Sequence, residues 1–202
     1  MPSIYELKPA FQNMLRPIVR GLVRIGVTPN QVTILALVVS AVAGAAIACE
    51  PIQRWALLAV PMVLFVRMAL NAMDGMMARE HEMATPLGAV LNEIGDVISD
   101  AFLYLPFAKV PNFDGFLVAV VVVLAGLSEM VGLVAVQVGA SRRYDGPMGK
   151  SDRAFIFGLF GALIGFGVDL AAWANWLLLA VAGLLVWTIL NRAINGVREA
   201  QN

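Results

Sequence analysis

The fold and candidate site of this chain are decided by Asn71-Ala-Met-Asp74-Gly75-Met-Met-Ala78-Arg79 and, after a short loop, Gly88-x-x-x-Asn92-x-x-x-Asp96. The first part ends one long apolar segment and the second begins the next. A carboxylate at the centre of a membrane span costs about 2.5–3.5 kcal/mol on insertion scales, so an ionisable residue there indicates a functional site. The pattern therefore predicts a polar site built on two membrane helices.

The composition is that of a membrane protein. Of its 202 residues, 60% are hydrophobic and only 14% are charged, and the mean hydropathy is +0.81. An ordinary soluble domain has about 25% charged residues, so this class is excluded. The single cysteine, Cys49, cannot form an internal disulfide.

We predict an all-α integral membrane protein with six transmembrane helices. A span of about 30 Å needs about 20 apolar residues, and the sequence offers six such runs. They lie at roughly 31–49, 55–78, 86–108, 116–140, 153–169 and 172–197. Because the loops are short and repeats are absent from the sequence, we expect residues 1–202 to form a single domain, with the six-helix bundle at 31–197.

Residues 3–26 predict an amphipathic helix that lies along the membrane surface. Apolar residues recur there at helical spacing, at Ile4, Leu7, Phe11, Leu15, Ile18, Leu22 and Ile25, and are interrupted by Lys8, Arg16, Arg20 and Arg24. The basic side would meet anionic lipid headgroups. The alternative is a frayed tail whose charges are fortuitous.

Basic residues predict the orientation of the chain. Most Lys and Arg fall in segments on one side of the predicted membrane, whereas the opposite loops hold little beyond Arg54 and Lys109. By the positive-inside rule both termini should be cytoplasmic. The net charge of zero gives no support for nucleic-acid binding.

The polar residues of the opening stretch should converge. Asn71 and Asp74 are three residues apart, whereas Asn92, Asp96 and Asp100 follow one another at intervals of four, so each set lines one helix face. The short connection makes the two helices antiparallel neighbours, with the two sets at similar depth. Oxygen ligands without a Cys or His pair favour Mg²⁺, Mn²⁺ or Ca²⁺ over zinc.

The spacing DxxDGxxAR, eight residues, Gly, three residues, Asp, three residues, Asp resembles the signature of the CDP-alcohol phosphatidyltransferase family over essentially the whole chain. The resemblance implies six membrane helices after an interfacial helix, a cytoplasmic-facing site, a homodimer and a bacterial inner-membrane location. It implies transfer of a phosphatidyl-type group from a CDP-linked lipid such as CDP-diacylglycerol to an alcohol, with release of CMP, in phospholipid synthesis. It also implies one or two Mg²⁺ or Mn²⁺ ions, held by Asp74 and Asp96, with Asp96 as general base.

Two positions depart from that signature. Asn71 and Asn92 stand where the first and third aspartates are expected. Asn can offer a carbonyl oxygen to a metal, but it carries no charge and accepts no proton. This weakens the case for two ions more than the case for one, and leaves Asp100 as a second candidate base.

Further residues are candidates for binding the two substrates. The resemblance implies that the CDP donor contacts residues near the predicted cytoplasmic helix ends, namely Asn30, Thr33, Gly75, Ala78, Arg79 and Gly88. Lys150 and Arg153, at the start of the fifth predicted span, form with Arg192 a candidate site for an acceptor phosphate. A basic loop that binds lipid headgroups is the alternative. Arg67 and Glu129 are interpreted as polar contacts between helices or at a dimer interface.

Three functions fit these residues. The first is the transferase, acting on a small alcohol or an anionic lipid as acceptor. The second is an ion-coupled transporter, which intramembrane carboxylates alone would permit but which six unbroken, non-repeated spans disfavour. The third is a catalytically degenerate protein that binds lipid or nucleotide, as the two Asn substitutions suggest.

Overall fold

The computed structural model describes residues 4–201, with side chains described from residue 9 onward. Within this part the chain forms seven α-helices and one 3-10 helix, and no β-strand. The α-helices are α1 (Ile4–Arg24), α2 (Pro29–Cys49), α3 (Arg54–Glu80), α4 (Pro86–Tyr104), α5 (Gly115–Gln137), α6 (Lys150–Gly165) and α7 (Ala174–Ala200). The 3-10 helix, Leu105–Lys109, follows α4 directly. The predicted all-α architecture is confirmed.

Within residues 4–201, four helices are long and apolar enough to cross a membrane: α2, α3, α5 and α7. Helices α4 and α6 have 19 and 16 residues and correspond to the third and fifth predicted spans. The third prediction ran to residue 108, but the α-helix ends at Tyr104 and a 3-10 turn containing Pro106 continues the chain. Proline has no N–H to donate inside a helix, which explains the change. The six-span topology stays a prediction.

The predicted surface helix coincides with α1, which covers Ile4–Arg24. Its buried side chains Leu15 and Val19 pack in a cluster with Val32, Leu70 and other apolar residues of α2 and α3. Ser3 and the side chains of Ile4, Leu7 and Lys8 lie outside the described residues. The location of α1 at a membrane surface stays a prediction.

The described residues fall into two compact units. The first contains residues 4–42 and 63–99, and the second contains residues 43–62 and 100–201. In the first unit, the buried methionines Met73, Met76 and Met77 pack with residues of α1 and α2. Methionine suits this role, because its flexible side chain fills irregular spaces.

The second unit is packed through aromatic rings and small residues. Tyr104 stacks on Phe157 with ring centroids 4.1 Å apart, and further ring contacts surround this pair. A Cβ at Gly161 would lie 2.7 Å from the carbonyl oxygen of Leu57, and one at Gly44 would lie 1.9 Å from that of Phe102. Glycine at these two positions lets neighbouring backbones approach closely, as membrane helices often do.

Large apolar side chains face outward on the long helices. Examples are Val42, Met62, Val123 and Trp187, which are between 58% and 65% exposed. Outward apolar faces are stable in hydrocarbon, where the backbone polar groups are satisfied inside each helix. The outer surface is therefore that of a membrane-embedded protein.

Candidate functional site

The first unit contains a cavity of about 260 Å³ at the beginnings of α2 and α4 and the end of α3. The predicted site residues that line it are Asn30, Thr33, Asn71, Asp74, Gly75, Ala78, Arg79, Gly88 and Asn92. Helix termini supply backbone groups with no partner in the helix, which makes them suitable for polar ligands. All six predicted donor-binding residues are thus placed in one cavity.

Local sequence fixes where the two helices at the cavity begin. Thr85 caps α4, since its Oγ1 accepts a hydrogen bond of 2.9 Å from the backbone N–H of Gly88, and Pro86 is the first helical residue. Thr28 and Gln31 make a reciprocal pair of hydrogen bonds at the start of α2. Helix α4 begins at Pro86, as the predicted span 86–108 does, and α2 begins at Pro29, two residues before the predicted span 31–49.

Gly88 allows the start of α4 to approach the start of α2. A Cβ at this position would lie 2.8 Å from Oδ1 of Asn30 and 3.1 Å from Oγ1 of Thr85. The absence of a side chain therefore keeps Asn30 at the edge of the cavity. Its amide can donate and accept hydrogen bonds, which suits a nucleotide or a phosphate.

Asp74 is the carboxylate that lines the cavity. The residue is 5% exposed, and its Oδ2 accepts a hydrogen bond of 2.7 Å from the hydroxyl of Thr33. This bond joins α3 to α2 and fixes the orientation of the carboxylate. Thr33, predicted as a donor contact, therefore also positions Asp74.

Asp96 lies on α4 but is not among the residues that line the cavity. Its Oδ1 accepts a hydrogen bond of 3.0 Å from Nδ2 of Asn71. The guanidinium of Arg67 lies 3.5 Å from the same oxygen and also donates to the backbone carbonyl of Asp96 at 2.9 Å. Arg67, with 3% of its side chain exposed, thus makes the polar contact between helices that the sequence predicted.

Arg79 also lines the cavity, one turn after Gly75. Its guanidinium lies 3.0–3.4 Å from the position that a Cβ of Gly75 would occupy. Glycine here gives the arginine room to fold back along α3. A cation in this cavity would attract an anionic ligand.

The residues around Asp74 fit a single hard divalent ion. Mg²⁺ is commonly bound through one or two carboxylates together with substrate phosphates, and amide oxygens are acceptable ligands. Asp74 supplies one carboxylate, whereas Asn71 and Asn92 supply amide oxygens. Among the described residues there is no group of three or more His, Cys, Asp or Glu that could hold a metal ion. The donor set is therefore poor for two adjacent dications.

The other predicted site residues belong to the second unit, where a buried ionic cluster is centred on Arg153. Its Nη2 lies 2.9 Å from Oδ2 of Asp100 and 3.1 Å from Oε1 of Glu129. Arg153 is 1% exposed and Asp100 is 4% exposed. Asp100, a candidate base, is therefore engaged by an arginine inside the protein.

Arg192 joins the same cluster from α7. Its Nη1 lies 3.4 Å from Oε2 of Glu129 and donates to the carbonyl oxygen of Ser128 at 2.5 Å. Arg142 contacts the same Glu129 oxygen at 3.3 Å. The structure thus brings Arg153 and Arg192 together around Glu129, and it places Lys150, the third predicted member, at the first residue of α6.

A neighbouring ion pair joins Arg143 and Asp145 in the loop before α6. Nε of Arg143 lies 2.7 Å from Oδ2 of Asp145. This hydrogen bond lowers the pKa of the Asp145 carboxyl below its ordinary value of 3.8. Arg143 also contacts the carboxylate of Glu199.

Glu129 makes the polar contacts between helices that the sequence predicted, but the sequence did not show that three arginines meet there. Helix α6 starts after Gly149, and Asp152 accepts a hydrogen bond from the Gly149 N–H at 2.8 Å. Pro29 and Ala89 also line the cavity, and their places beside Asn30 and Gly88 were the available signal.

The comparison with protein families agrees with the resemblance in the sequence. The family model described as CDP-alcohol phosphatidyltransferase matches residues 26–188. This range includes the whole cavity and both halves of the opening stretch.

Two curated relatives cover most of the chain. The inner membrane protein YnbA of Escherichia coli is 45% identical over 192 residues, which are 94% of this chain and 94% of that protein. The phosphatidylinositol phosphate synthase of Mycobacterium marinum is 32% identical over 159 residues, which are 77% of this chain and 66% of that protein.

Solved structures of the phosphatidylinositol phosphate synthase of Mycobacterium tuberculosis have a similar fold. The complex with manganese and citrate gives a TM-score of 0.75 at 24% identity and covers 89% of this chain and 87% of that chain. The form with CDP-DAG bound gives a TM-score of 0.72 at 23% identity and covers 92% of each chain.

Proposed function

Because the chain belongs to the CDP-alcohol phosphatidyltransferase family, we propose that it transfers a phosphatidyl-type group from a CDP-linked lipid to an alcohol in a metal-dependent reaction. CMP is the second product, and the pathway is phospholipid synthesis. The donor is of the CDP-diacylglycerol type, as in the M. tuberculosis structure of the same fold.

One observation carries this proposal: all the matching signature residues except Asp96 line one cavity. Asp74, Gly75, Ala78 and Arg79 reach it from α3, and Gly88 reaches it from α4. A carboxylate, an arginine and two helix N-termini in one cavity suit a pyrophosphate with a divalent ion. The manganese complex of the M. tuberculosis synthase supports the same class of cofactor, Mg²⁺ or Mn²⁺.

In this reaction the acceptor hydroxyl oxygen forms a bond to the lipid phosphorus, and the bond from that phosphorus to the CMP oxygen breaks. A bound divalent ion would neutralise the charge of the donor phosphates. Asp74 would hold the ion, together with the amide oxygens of Asn71 and Asn92. Arg79 adds a second positive charge for the departing CMP.

Asp96 is the proposed general base that takes the hydroxyl proton. Asn71 and Arg67 hold its Oδ1, which fixes the direction of the carboxylate. A base must be correctly placed before its pKa matters, and these two contacts supply that placement. We assign Asp100 a supporting role, because Arg153 engages its carboxylate.

We propose one metal ion per site rather than two. Each additional dication needs nearby negative charge, and the two Asn residues supply none. The guanidinium of Arg67 already lies beside Asp96, which opposes a second dication there. Asp96 is thus proposed to act chiefly as base and only secondarily as a metal ligand.

The remaining features are proposed from the same resemblance. They are six membrane spans in a single domain, an α1 helix on the membrane surface, a homodimer, and an inner-membrane location with a cytoplasmic site. The name of the E. coli relative supports the location. Lys150 is proposed to contact the acceptor, whereas Arg153 and Arg192 are proposed to hold Glu129.

A degenerate protein that binds CDP-lipid without turnover is the second candidate. The contact of Arg67 with Asp96 favours it, because the proposed base is already paired with a cation of the protein. The intact cavity, with Asp74 and Arg79 in place, favours the transferase.

The test is CMP release by the purified protein in lipid, given CDP-diacylglycerol, Mn²⁺ or Mg²⁺ and a pool of alcohols. We expect metal-dependent release that Asp96→Asn reduces by at least about 10²-fold. Asp169→Asn is the matched control, since Asp169 is exposed and lies in the second unit. CDP-lipid binding without CMP release would favour the degenerate protein, and absence of both would contradict the proposed function.

A further inference from the structure

The carboxylate of Glu129 contacts the guanidinium groups of three arginines. Oε1 lies 3.1 Å from Arg153, and Oε2 lies 3.3 Å from Arg142 and 3.4 Å from Arg192. The three arginines come from α6, the loop after α5, and α7. One carboxylate thus occupies the point at which three guanidinium groups converge.

Arginine clusters of this kind usually bind phosphate or carboxylate ligands, because the planar guanidinium matches their oxygens. Here the anion belongs to the protein itself. Phe157 and Phe160 are buried on the same helix as Arg153, so the cluster also lies next to an apolar core.

The arginines of this region are paired with carboxylates of the protein itself. Arg142, Arg153 and Arg192 contact Glu129, and Arg153 also contacts Asp100, whereas Arg143 contacts Asp145 and Glu199. An incoming phosphate would bring negative charge to guanidinium groups that already face carboxylates. It would have to displace a carboxylate from a buried ion pair, which is energetically costly.

Burial adds to this cost. Arg153 is 1% exposed, Arg192 is 2% exposed and Glu129 is 8% exposed. A phosphate could reach the guanidinium groups only if the Glu129 side chain moved away and left its charge elsewhere in a membrane-embedded protein.

We propose that Glu129 is a specificity-determining residue whose carboxylate takes the place of an acceptor phosphate, so that the acceptor is an alcohol without a phosphate group. This inference rests on the proposed transferase function. The acceptors are then limited to alcohols without a phosphate group. Arg153 and Arg192 bind the carboxylate of Glu129 instead of an acceptor phosphate.

The decisive variant is Glu129→Gln, which preserves the shape of the side chain and removes its charge. It removes the negative charge that the three arginines share, and we expect the variant to bind inorganic phosphate. The matched control is Glu199→Gln, because Glu199 contacts Arg143 and Ser141 and none of the three arginines around Glu129.

The binding experiment is calorimetric titration of the purified protein in detergent with inorganic phosphate and with glycerol 3-phosphate. We expect a Kd at least tenfold lower for Glu129→Gln than for the wild type and for Glu199→Gln. A folded Glu129→Gln protein that binds phosphate no better than the wild type would overturn the proposal. Because this readout needs no turnover, it decides the inference even if the transferase function fails.

The activity experiment compares matched acceptors for the wild-type protein: glycerol with glycerol 3-phosphate, and inositol with inositol phosphate. We expect CMP release with kcat/KM at least tenfold higher for an unphosphorylated member of a pair. A preference for the phosphorylated member would overturn the proposal while it confirmed the transferase.

A variant of the donor cavity decides the case in which Glu129→Gln does not fold. Thermal unfolding of Arg79→Gln, whose cavity has lost its arginine, should then be unaffected by millimolar inorganic phosphate, at constant ionic strength set with chloride. Specific stabilisation of this variant by phosphate would show an accessible anion site outside the donor cavity and would overturn the proposal.

Discussion

The two units place their charged residues in opposite ways. In the first, Asp74 and Arg79 line a cavity of about 260 Å³. In the second, Arg153 and Arg192 are at most 2% exposed and are satisfied by internal carboxylates. Charged side chains in a membrane protein are costly, so they persist either because a ligand uses them or because they neutralise each other.

This comparison separates chemical from structural roles. A carboxylate that lines a cavity, as Asp74 does, can be reached by a cation that binds there. A carboxylate that several arginines contact, as they contact Glu129, is neutralised inside the protein. Substitutions in the first unit should therefore affect ligands, and those in the second should affect stability.

Arg153→Ala should give the largest effect on stability. Removal of one partner from a buried ion pair typically costs about 3–5 kcal/mol, and here it leaves Asp100 and Glu129 facing each other without their shared cation. The measurement is thermal unfolding in detergent. Arg54→Ala, an exposed position in the same unit, is the control and should change Tm little. A Tm equal to that of the wild type would mean that the cluster is not structural.

Asp74→Asn should abolish most activity without loss of stability. The variant keeps an oxygen near Thr33 but loses the charge that a dication needs, and we expect CMP release to fall by about 10²–10³-fold. Thermal unfolding in the absence of ligand should be close to that of the wild type. A variant that unfolds at a much lower temperature would show that Asp74 stabilises the fold, and would contradict its assignment to ligand binding alone.

Gly88→Ala should have an intermediate effect on the binding of the CDP-lipid donor. The added Cβ would meet Oδ1 of Asn30 at 2.8 Å, and the flexible Asn side chain would have to move within the cavity. We expect KM for the CDP-lipid to rise by roughly tenfold, about 1.4 kcal/mol, while kcat changes less. Gly183→Ala is the control, since nothing lies within 4 Å of its added Cβ. An equal effect of both substitutions would argue against donor contact at Gly88.

Asp145→Asn should give the smallest effect, and only at higher pH. Arg143 lowers the pKa of Asp145, so its ion pair stabilises the fold above the ordinary pKa of 3.8 and loses this contribution as the pH falls through the lowered value. The variant should therefore unfold at a slightly lower temperature than the wild type at pH 6, and the difference should shrink towards pH 3. A difference that grows on acidification would contradict the sign of this pKa shift.

The helices were predictable because hydropathy and capping residues are local signals. The runs around α2, α3, α5 and α7 and the starts at Thr28-Pro29 and Thr85-Pro86 needed no tertiary information. The end of α4 at Tyr104 was missed, since its apolar pattern continues through Pro106 into the 3-10 turn.

The site was predictable where helical spacing determines neighbours, as for Asn71, Asp74 and Gly88. Contacts between segments that are distant in the sequence were harder to predict. The sequence shows Glu129 as a lone charge in an apolar helix, and only the fold brings Arg142, Arg153 and Arg192 to it. Thr33 was identified by resemblance, but its bond to Asp74 depends on the packing of α2 with α3.

We propose that the cavity around Asp74 holds one divalent ion together with the donor. The number of bound ions can be counted by titration of the protein with Mn²⁺ in the presence of CDP-diacylglycerol, followed by electron paramagnetic resonance. We predict one bound ion per chain in the wild type, and binding weakened at least tenfold in Asp74→Asn but not in Asp169→Asn. Two ions per chain, or Mn²⁺ binding that Asp74→Asn leaves unchanged, would contradict a single metal site at Asp74.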